Sequence, residues 1–270
     1  MKKKYIIISS IIAGVLAILL ILFGAVFVLR KQSVVFIDDA NQALNISEND
    51  IINTAGLKKG KSIFMLDKDK ATANIESTYP YLKVVQIKTT SAVRVEIKVR
   101  RRFEMYYSYV EKFKKYYVFD EDLKLLRITE IEPTNLTYLN LSNLGITANT
   151  LEGNFVGDEY SQKIIYDLFT SIYKTVKIDG NFLTREQICS LVTDIEFKSG
   201  YTLDEEYTRV ILTTSYGVKI DIGKPEDNFE YKINFCFATL NALNEEQKSK
   251  GTIKFFYLGD GTEIKGYSAE

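Results

Sequence analysis

The feature that most constrains this chain is an uninterrupted apolar stretch near its N-terminus. Residues 6–29 contain no charged side chain. An α-helix rises about 1.5 Å per residue, so the stretch is long enough to cross a hydrocarbon core of about 30 Å. It predicts one transmembrane helix over residues 6–29, preceded by a tail of residues 1–5. Everything from residue 32 onward is then expected on one side of the membrane.

The flanking charges predict the orientation of this span. Lys2, Lys3 and Lys4 precede it, whereas only Arg30 and Lys31 follow it directly. Because positive charge is retained on the cytoplasmic side, we expect a cytoplasmic N-terminus and an extracytoplasmic C-terminus in a single-pass cell-membrane protein.

A cleaved signal peptide is the competing interpretation of the same stretch. Signal peptides have apolar regions of about 7–15 residues and a small-residue cleavage site. Residues 6–29 are longer, and residues 23–30 show no A-x-A pattern. The pattern favours an uncleaved anchor.

The residue types that are scarce exclude several kinds of site. The 35 basic and 35 acidic residues balance, so no net charge favours nucleic acid, and there is no histidine to act as a base or a metal ligand. Cys189 and Cys236 are far apart in the sequence and suit buried thiols, with a disulfide as the alternative. We expect no catalytic residue, no metal, no cofactor and no small-molecule substrate.

Residues 33–101 predict a small α+β domain with the order strand, helix, helix, strand, strand. Ser47 and Asp50 have the spacing of a helix capping box, and Gly56 is placed to end that helix. Asp67 is the predicted cap of a second helix. The last strand alternates apolar and charged residues over residues 93–100, which is typical of a sheet with one solvated face.

Residues 102–270 predict a larger β-rich domain that also contains helices. Apolar residues with helical spacing indicate one helix from about Tyr160 to Ile172 and another that ends near Asn244. The last predicted strand covers residues 251–258, and a turn at residues 259–261 and a short tail follow it.

Residues 46–67 resemble the POTRA domain of the FtsQ/DivIB family. The shared features are a helix that ends in Ala55-Gly56, a turn from Gly60 to Phe64, and a proline, Pro80, before the next strand. A single anchor directly before this domain is a further similarity. The chain departs from the family where its last strand reads Val-Arg-Arg-Arg-Phe over residues 99–103 in place of E-R-x-P.

The resemblance implies a non-enzymatic scaffold of the bacterial division machinery at the division septum. In this family the last strand of the second domain binds FtsL-like and DivIC/FtsB-like proteins by strand addition. Carried over to this chain, the residues implied to bind these partners are Thr252, Ile253, Phe255, Tyr257 and Tyr267. Core packing is the alternative for Phe255 and Tyr257, and a membrane-anchored cell-wall hydrolase or transpeptidase is the alternative function.

Two charged clusters have predicted structural roles. Asp120, Glu121 and Asp122 are expected to form a solvated turn, with calcium ligation as the alternative although no D-x-D-x-D-G loop is present. The basic residues 100–102 suit either a charged strand end or a contact with an anionic lipid or a partner.

Overall fold

The computed structural model describes residues 14–15, 26–141, 144–178, 180–201, 206–225, 228–257 and 263–269. The chain divides into two compact units, Met1–Arg102 and Phe103–Glu270. The sequence places the corresponding boundary between residues 101 and 102.

The first unit has the predicted α+β order, with two short helical turns in addition. Its elements are β1 (Lys31–Phe36), α1 (Ala40–Ala43), α2 (Glu48–Ala55), a 3-10 turn (Ile63–Met65), α3 (Lys68–Thr78), β2 (Leu82–Ser91) and β3 (Arg94–Arg101). The sheet order is β1-β3-β2, in which β3 runs parallel to β1 and antiparallel to β2. The central strand β3 buries Val95, Ile97 and Val99 completely, as its alternation predicts.

The helix ends of this unit follow the predicted caps. Ser47 and Asp50 form a complete capping box at the start of α2, and Gly56 ends the helix with a left-handed φ of 64°. The Asp67 side chain accepts a hydrogen bond from the backbone N–H of Lys70 at the start of α3. Local chemistry therefore sets where both helices begin.

The C-terminal end of the predicted membrane span belongs to the core of the first unit. Leu29 is fully buried. Its N–H donates to the carbonyl oxygen of Lys61 at 2.8 Å, and its own carbonyl accepts from Gly60 N–H at 2.8 Å. No helix in the described part of the chain is both long and apolar enough to cross a bilayer. The predicted span lies outside the described residues apart from residues 14, 15 and 26–29.

One residue of the basic run, Arg102, lies inside the first unit. Its guanidinium donates to Glu76 Oε2 at 3.0 Å and to the Leu82 carbonyl at 3.1 Å. Arg102 is 1% exposed and Glu76 is 6% exposed. Burial in an ion pair suits the end of a strand better than a surface contact with a partner.

The second unit is built on a nine-stranded mixed sheet. Its order is β14-β13-β12-β11-β10-β7-β4-β5-β6. The strands are β4 (Tyr106–Val110), β5 (Lys115–Phe119), β6 (Leu125–Thr129), β7 (Thr137–Asn140), β10 (Val192–Tyr201), β11 (Glu206–Thr214), β12 (Lys219–Asp221), β13 (Thr252–Tyr257) and β14 (Glu263–Ser268), with a separate short hairpin of β8 (Lys177–Ile178) and β9 (Asn181–Phe182).

Helices pack against the nine-stranded sheet and complete the hydrophobic core of the second unit. They are α4 (Glu159–Thr175), α5 (Arg185–Leu191), α6 (Phe229–Ala242) and the short α7 (Glu245–Lys248). Buried residues of α4, such as Ile165 and Leu168, belong to one cluster with Leu212 and Ile220 of the sheet. The mixed α+β class with a β-rich second domain is therefore confirmed.

Candidate partner-binding edge

The five residues predicted to bind partners lie on two neighbouring strands at one end of the large sheet. Thr252, Ile253, Phe255 and Tyr257 are on β13, and Tyr267 is on β14. The strands pair antiparallel, with Ile253 opposite Tyr267. The fold therefore brings together residues that are ten or more positions apart in the sequence.

The prediction that β13 is the last strand, followed only by a tail, is wrong. Residues 263–268 form β14, which pairs along the whole of β13 from Thr252↔Ser268 to Tyr257↔Glu263. The edge of the sheet therefore belongs to β14, and no strand of the described residues pairs with its outer side. The sequence of this tail gives only a weak strand signal because a glycine, Gly266, interrupts it. In the structure Gly266 has a φ of 149°.

The other edge of the sheet, β6, is already covered. Leu125 N–H donates to the Asn154 carbonyl at 2.8 Å, and Gly153 N–H donates to the Leu125 carbonyl at 2.7 Å. The N–H of Ile128 donates to Glu152 Oε1 at 3.1 Å. Because backbone groups of β6 are bonded to this loop, β14 is the edge that better suits the addition of a strand.

Two of the predicted contact residues are core residues. Ile253 and Phe255 are both 0% exposed. The Phe255 ring meets Tyr231 and Phe235 of α6 edge-on, at centroid distances of 5.5 Å and 5.2 Å. The burial of Phe255 supports the packing alternative for this residue. Thr252 is half-buried, and the side chain of Tyr257 is not among those that the structure describes.

Tyr267 fastens β14 to the rest of the unit. Its hydroxyl lies 3.1 Å from the carbonyl oxygens of Gln247 and Lys250, and its single proton can be donated to either of them. Its ring passes over Gly251, where an added Cβ would lie 2.8 Å from Cε2 of Tyr267. Only glycine fits here, because the site is crowded and φ is +95°.

Lys265 of β14 is an edge residue that the sequence analysis missed. Its Nζ lies 5.7 Å from the Tyr231 centroid, 5.5 Å from that of Phe235 and 5.6 Å from that of Phe255. Lys265 and Tyr231 are both exposed, so a cation and an aromatic ring stand side by side at this edge. A lone lysine in a presumed tail gives no sequence signal for this arrangement.

The acidic turn predicted to be solvated is buried instead. Asp120 is 0% exposed and Glu121 is 1% exposed. Asp120 Oδ1 accepts hydrogen bonds at 2.9 Å from the N–H groups of Asp122 and Lys124. The carboxylate therefore organises the turn from inside. No group of three or more potential metal ligands occurs within the described ranges.

Both cysteines are buried free thiols, as the sequence favoured. Burial raises the pKa of Cys189, and burial, reinforced by the charge of Asp221, raises the pKa of Cys236 to about 12. Thiols held neutral in this way are poor nucleophiles at neutral pH.

The comparisons with known proteins identify the first unit. Residues 41–102 match the family model described as the POTRA domain, FtsQ-type. No curated protein sequence is significantly similar to this chain.

One solved structure resembles part of the chain weakly. It is the major extracytoplasmic domain of the trans isomer of the bacterial cell division protein DivIB from Geobacillus stearothermophilus. The match has 16% identity, covers 53% of this chain and 94% of that chain, and has a TM-score of 0.30. Values this low add nothing to the assignment, which depends on residues 41–102. Residues 41–102 are therefore a POTRA domain of the FtsQ type.

Proposed function

We propose that this protein is a non-enzymatic, membrane-anchored scaffold of the bacterial division machinery. The observation that carries the proposal is an FtsQ-type POTRA domain in the same chain as a sheet whose outer strand, β14, has no strand of the described residues paired to its outer side. Residues 6–29 would anchor it in the cell membrane at the septum, with the N-terminus in the cytoplasm.

Strand addition to β14 is the proposed mode of recruitment. An edge strand presents alternate backbone N–H and C=O groups that a second chain can bond in register. Lys265 and Tyr231 would contact side chains of the incoming strand at this edge. FtsL-like and DivIC/FtsB-like proteins are the proposed partners, as the family resemblance implies.

The predicted contact residues take distinct parts in this mechanism. Phe255 packs β13 against α6, Ile253 is buried in the same core, and Tyr267 holds β14 at Gly251, so these three position the edge. Thr252 and Tyr257 lie at the two ends of β13. The partner would therefore meet mainly the backbone of β14.

Two proline variants test whether β14 accepts a strand. Neighbouring residues of a strand direct their N–H groups to opposite sides, so Ile264→Pro and Lys265→Pro remove one inward and one outward donor. We expect the variant that loses the outward N–H to lose capture of the FtsL-like and DivIC/FtsB-like proteins while its melting temperature is kept. The variant that loses the inward N–H should have a lower melting temperature.

The measurement is affinity purification of the full chain from detergent-solubilised membranes, with both partners quantified by mass spectrometry. Ile131→Pro is a matched control at an exposed position outside β14. Unchanged capture in both β14 variants would rule out strand addition there. Peptidoglycan turnover by the purified protein, abolished by one Ser→Ala change, would instead favour the hydrolase or transpeptidase alternative.

A further inference from the structure

A cleft in the second unit lies between the end of α4 and the start of α5, away from β13 and β14 in the sequence. Its volume is about 420 Å³. Tyr173 and Lys174 line it from α4, Phe182 lines it from β9, and Arg185 and Glu186 line it from α5. Tyr173 is 41% exposed and Phe182 is 54% exposed, so aromatic surface faces solvent here. Neither the POTRA assignment nor the β14 edge accounts for this cleft.

The guanidinium group of Arg185 is held among three aromatic rings. Its Cζ lies 4.9 Å from the centroid of Phe103, 5.4 Å from that of Tyr173 and 5.7 Å from that of Phe169. Aromatic faces attract a cation but accept no conventional in-plane hydrogen bond from it. The rings therefore fix the position of the guanidinium and leave its N–H groups to find other acceptors.

Those acceptors are missing within the described residues. The Arg185 Nε atom is buried and has no hydrogen-bond partner there. None of the ion pairs among the described residues includes Arg185. A buried guanidinium donor without an acceptor is costly, and a bound carboxylate would satisfy it with two parallel hydrogen bonds.

The adjacent carboxylate, Glu186, is engaged elsewhere. Its pKa is lowered first by the hydrogen bond from its own backbone N–H, then by the Thr184 side chain, and further by Arg185. Glu186 therefore stays ionised at the start of α5 and does not form an ion pair with Arg185.

Among the described residues, the other charged side chains placed at the cleft are positive. Lys174 lines it, and Lys177 places its Nζ 4.4 Å from the ring centroid of Phe182 on the rim. Together with Arg185 they outnumber Glu186, so the charge of the cleft is complementary to an acid.

We propose that this cleft binds an acidic peptide segment of a protein partner, with one carboxylate on Arg185 and a neighbouring apolar side chain against Tyr173 and Phe182. The planar guanidinium matches a carboxylate in a bidentate arrangement, and Arg185 is already oriented by its rings. The exposed rings give an adjacent apolar residue a surface to cover. The segment is recognised by this pairing of an acid with an apolar neighbour.

Fluorescence anisotropy with matched labelled peptides tests the assignment on the full chain in detergent. One capped hexapeptide carries two glutamates between two phenylalanines, and the other has glutamines in their place. We expect the glutamate peptide to bind at least about tenfold more tightly, because hydrogen bonds to charged groups are the stronger ones. A glutamate flanked only by glycines, added as an unlabelled competitor, should displace the labelled glutamate peptide poorly, because this competitor lacks the apolar neighbours.

Variants of the cleft locate the binding. Arg185→Gln should lower the affinity for the glutamate peptide about tenfold. Arg185→Lys should lower it by less, because lysine keeps the charge but lacks the planar guanidinium group. Glu186→Gln should strengthen binding several-fold, because it removes a negative charge from the lining of the cleft. Lys163→Gln is the matched control, since Lys163 is exposed on α4 and does not line the cleft.

Three results would overturn the assignment. They are equal binding of the two peptides, unchanged affinity in Arg185→Gln, and no binding of the glutamate peptide up to about 1 mM. Equal binding of the glutamate and glutamine peptides would mean that the cleft binds apolar side chains without selecting for a carboxylate. If Arg185→Gln fails to fold, Glu186→Gln and the peptide pair still decide the question.

Discussion

The ring of Tyr267 lies across Gly251, and its hydroxyl is 3.1 Å from the carbonyl oxygen of the preceding residue, Lys250. An added Cβ at Gly251 would also lie 2.6 Å from the backbone oxygen of Ser268. The packing of Tyr267 against Gly251 therefore holds the outer strand, β14, in place. This contact explains how a short C-terminal segment is kept in register as β14.

Gly251→Ala should loosen β14. The left-handed φ and the clash with backbone together should cost about 2–4 kcal/mol. Hydrogen exchange measured by mass spectrometry should show faster exchange in residues 252–257 and 263–268. Gly180→Ala is the control, because Gly180 also has a positive φ but nothing lies within 4 Å of its added Cβ. Equal effects at both glycines would contradict the role given to the Tyr267 contact.

A charge at Tyr257 should act through its cross-strand neighbour. Tyr257 pairs with Glu263 of β14, so Tyr257→Asp places like charges opposite one another and should weaken both the strand pair and partner capture. Tyr257→Lys places opposite charges there and should retain both. Capture of the DivIC/FtsB-like protein, quantified as above, distinguishes the two. Equal loss in both variants would show that the tyrosine ring itself is needed.

Breaking the Arg102–Glu76 pair should destabilise the first unit strongly. Arg102→Met leaves Glu76 buried without its partner and should cost about 3–5 kcal/mol of unfolding free energy, measured by urea denaturation. The double variant Glu76→Leu, Arg102→Met should recover only part of that loss, because the N–H of Val84 also loses its acceptor on Glu76. Glu96→Gln is the control, because its pair with Lys98 is partly exposed and should change stability by less than about 1 kcal/mol.

The acidic turn should depend on Asp120. Asp120→Ala leaves the N–H groups of Asp122 and Lys124 without their acceptor and should cost about 1–3 kcal/mol. Asp39→Ala should be nearly neutral, since Asp39 is exposed and its side chain caps nothing. Denaturation midpoints measure both, and a neutral Asp120→Ala would mean that the turn holds without its carboxylate.

The cysteines should resist alkylation and should make stability depend on alkaline pH. The pKa of Cys236 is raised in the folded state from its ordinary value of 9.0 to about 12. Its contribution to stability is therefore complete below about pH 9 and is lost as pH rises through about 12. Native protein at pH 8 should react with iodoacetamide far more slowly than protein in urea. Cys236→Ser should reduce the alkaline loss of stability but not abolish it, because burial also raises the pKa of tyrosines such as Tyr106. An unchanged pH profile would argue against a contribution from Cys236.

Local chemistry in the sequence determined much of the first unit. The Ser47–Asp50 box, the Asp67 cap and the alternation through Val95, Ile97 and Val99 act within a few residues, so they could be interpreted without a partner element. The same patterns supported the FtsQ/DivIB resemblance that the match to residues 41–102 then confirmed.

Only the tertiary structure decided which groups are buried and which edge is open. Asp120 lies inside because backbone N–H groups converge on it, and Leu29 lies in the core of the first unit. β14 exists because β13 and the Tyr267–Gly251 contact hold a segment with little strand signal of its own. The aromatic surround of Arg185 joins residues from three separate parts of the chain. A sequence specifies local hydrogen bonds directly, whereas burial and edges depend on contacts between distant segments.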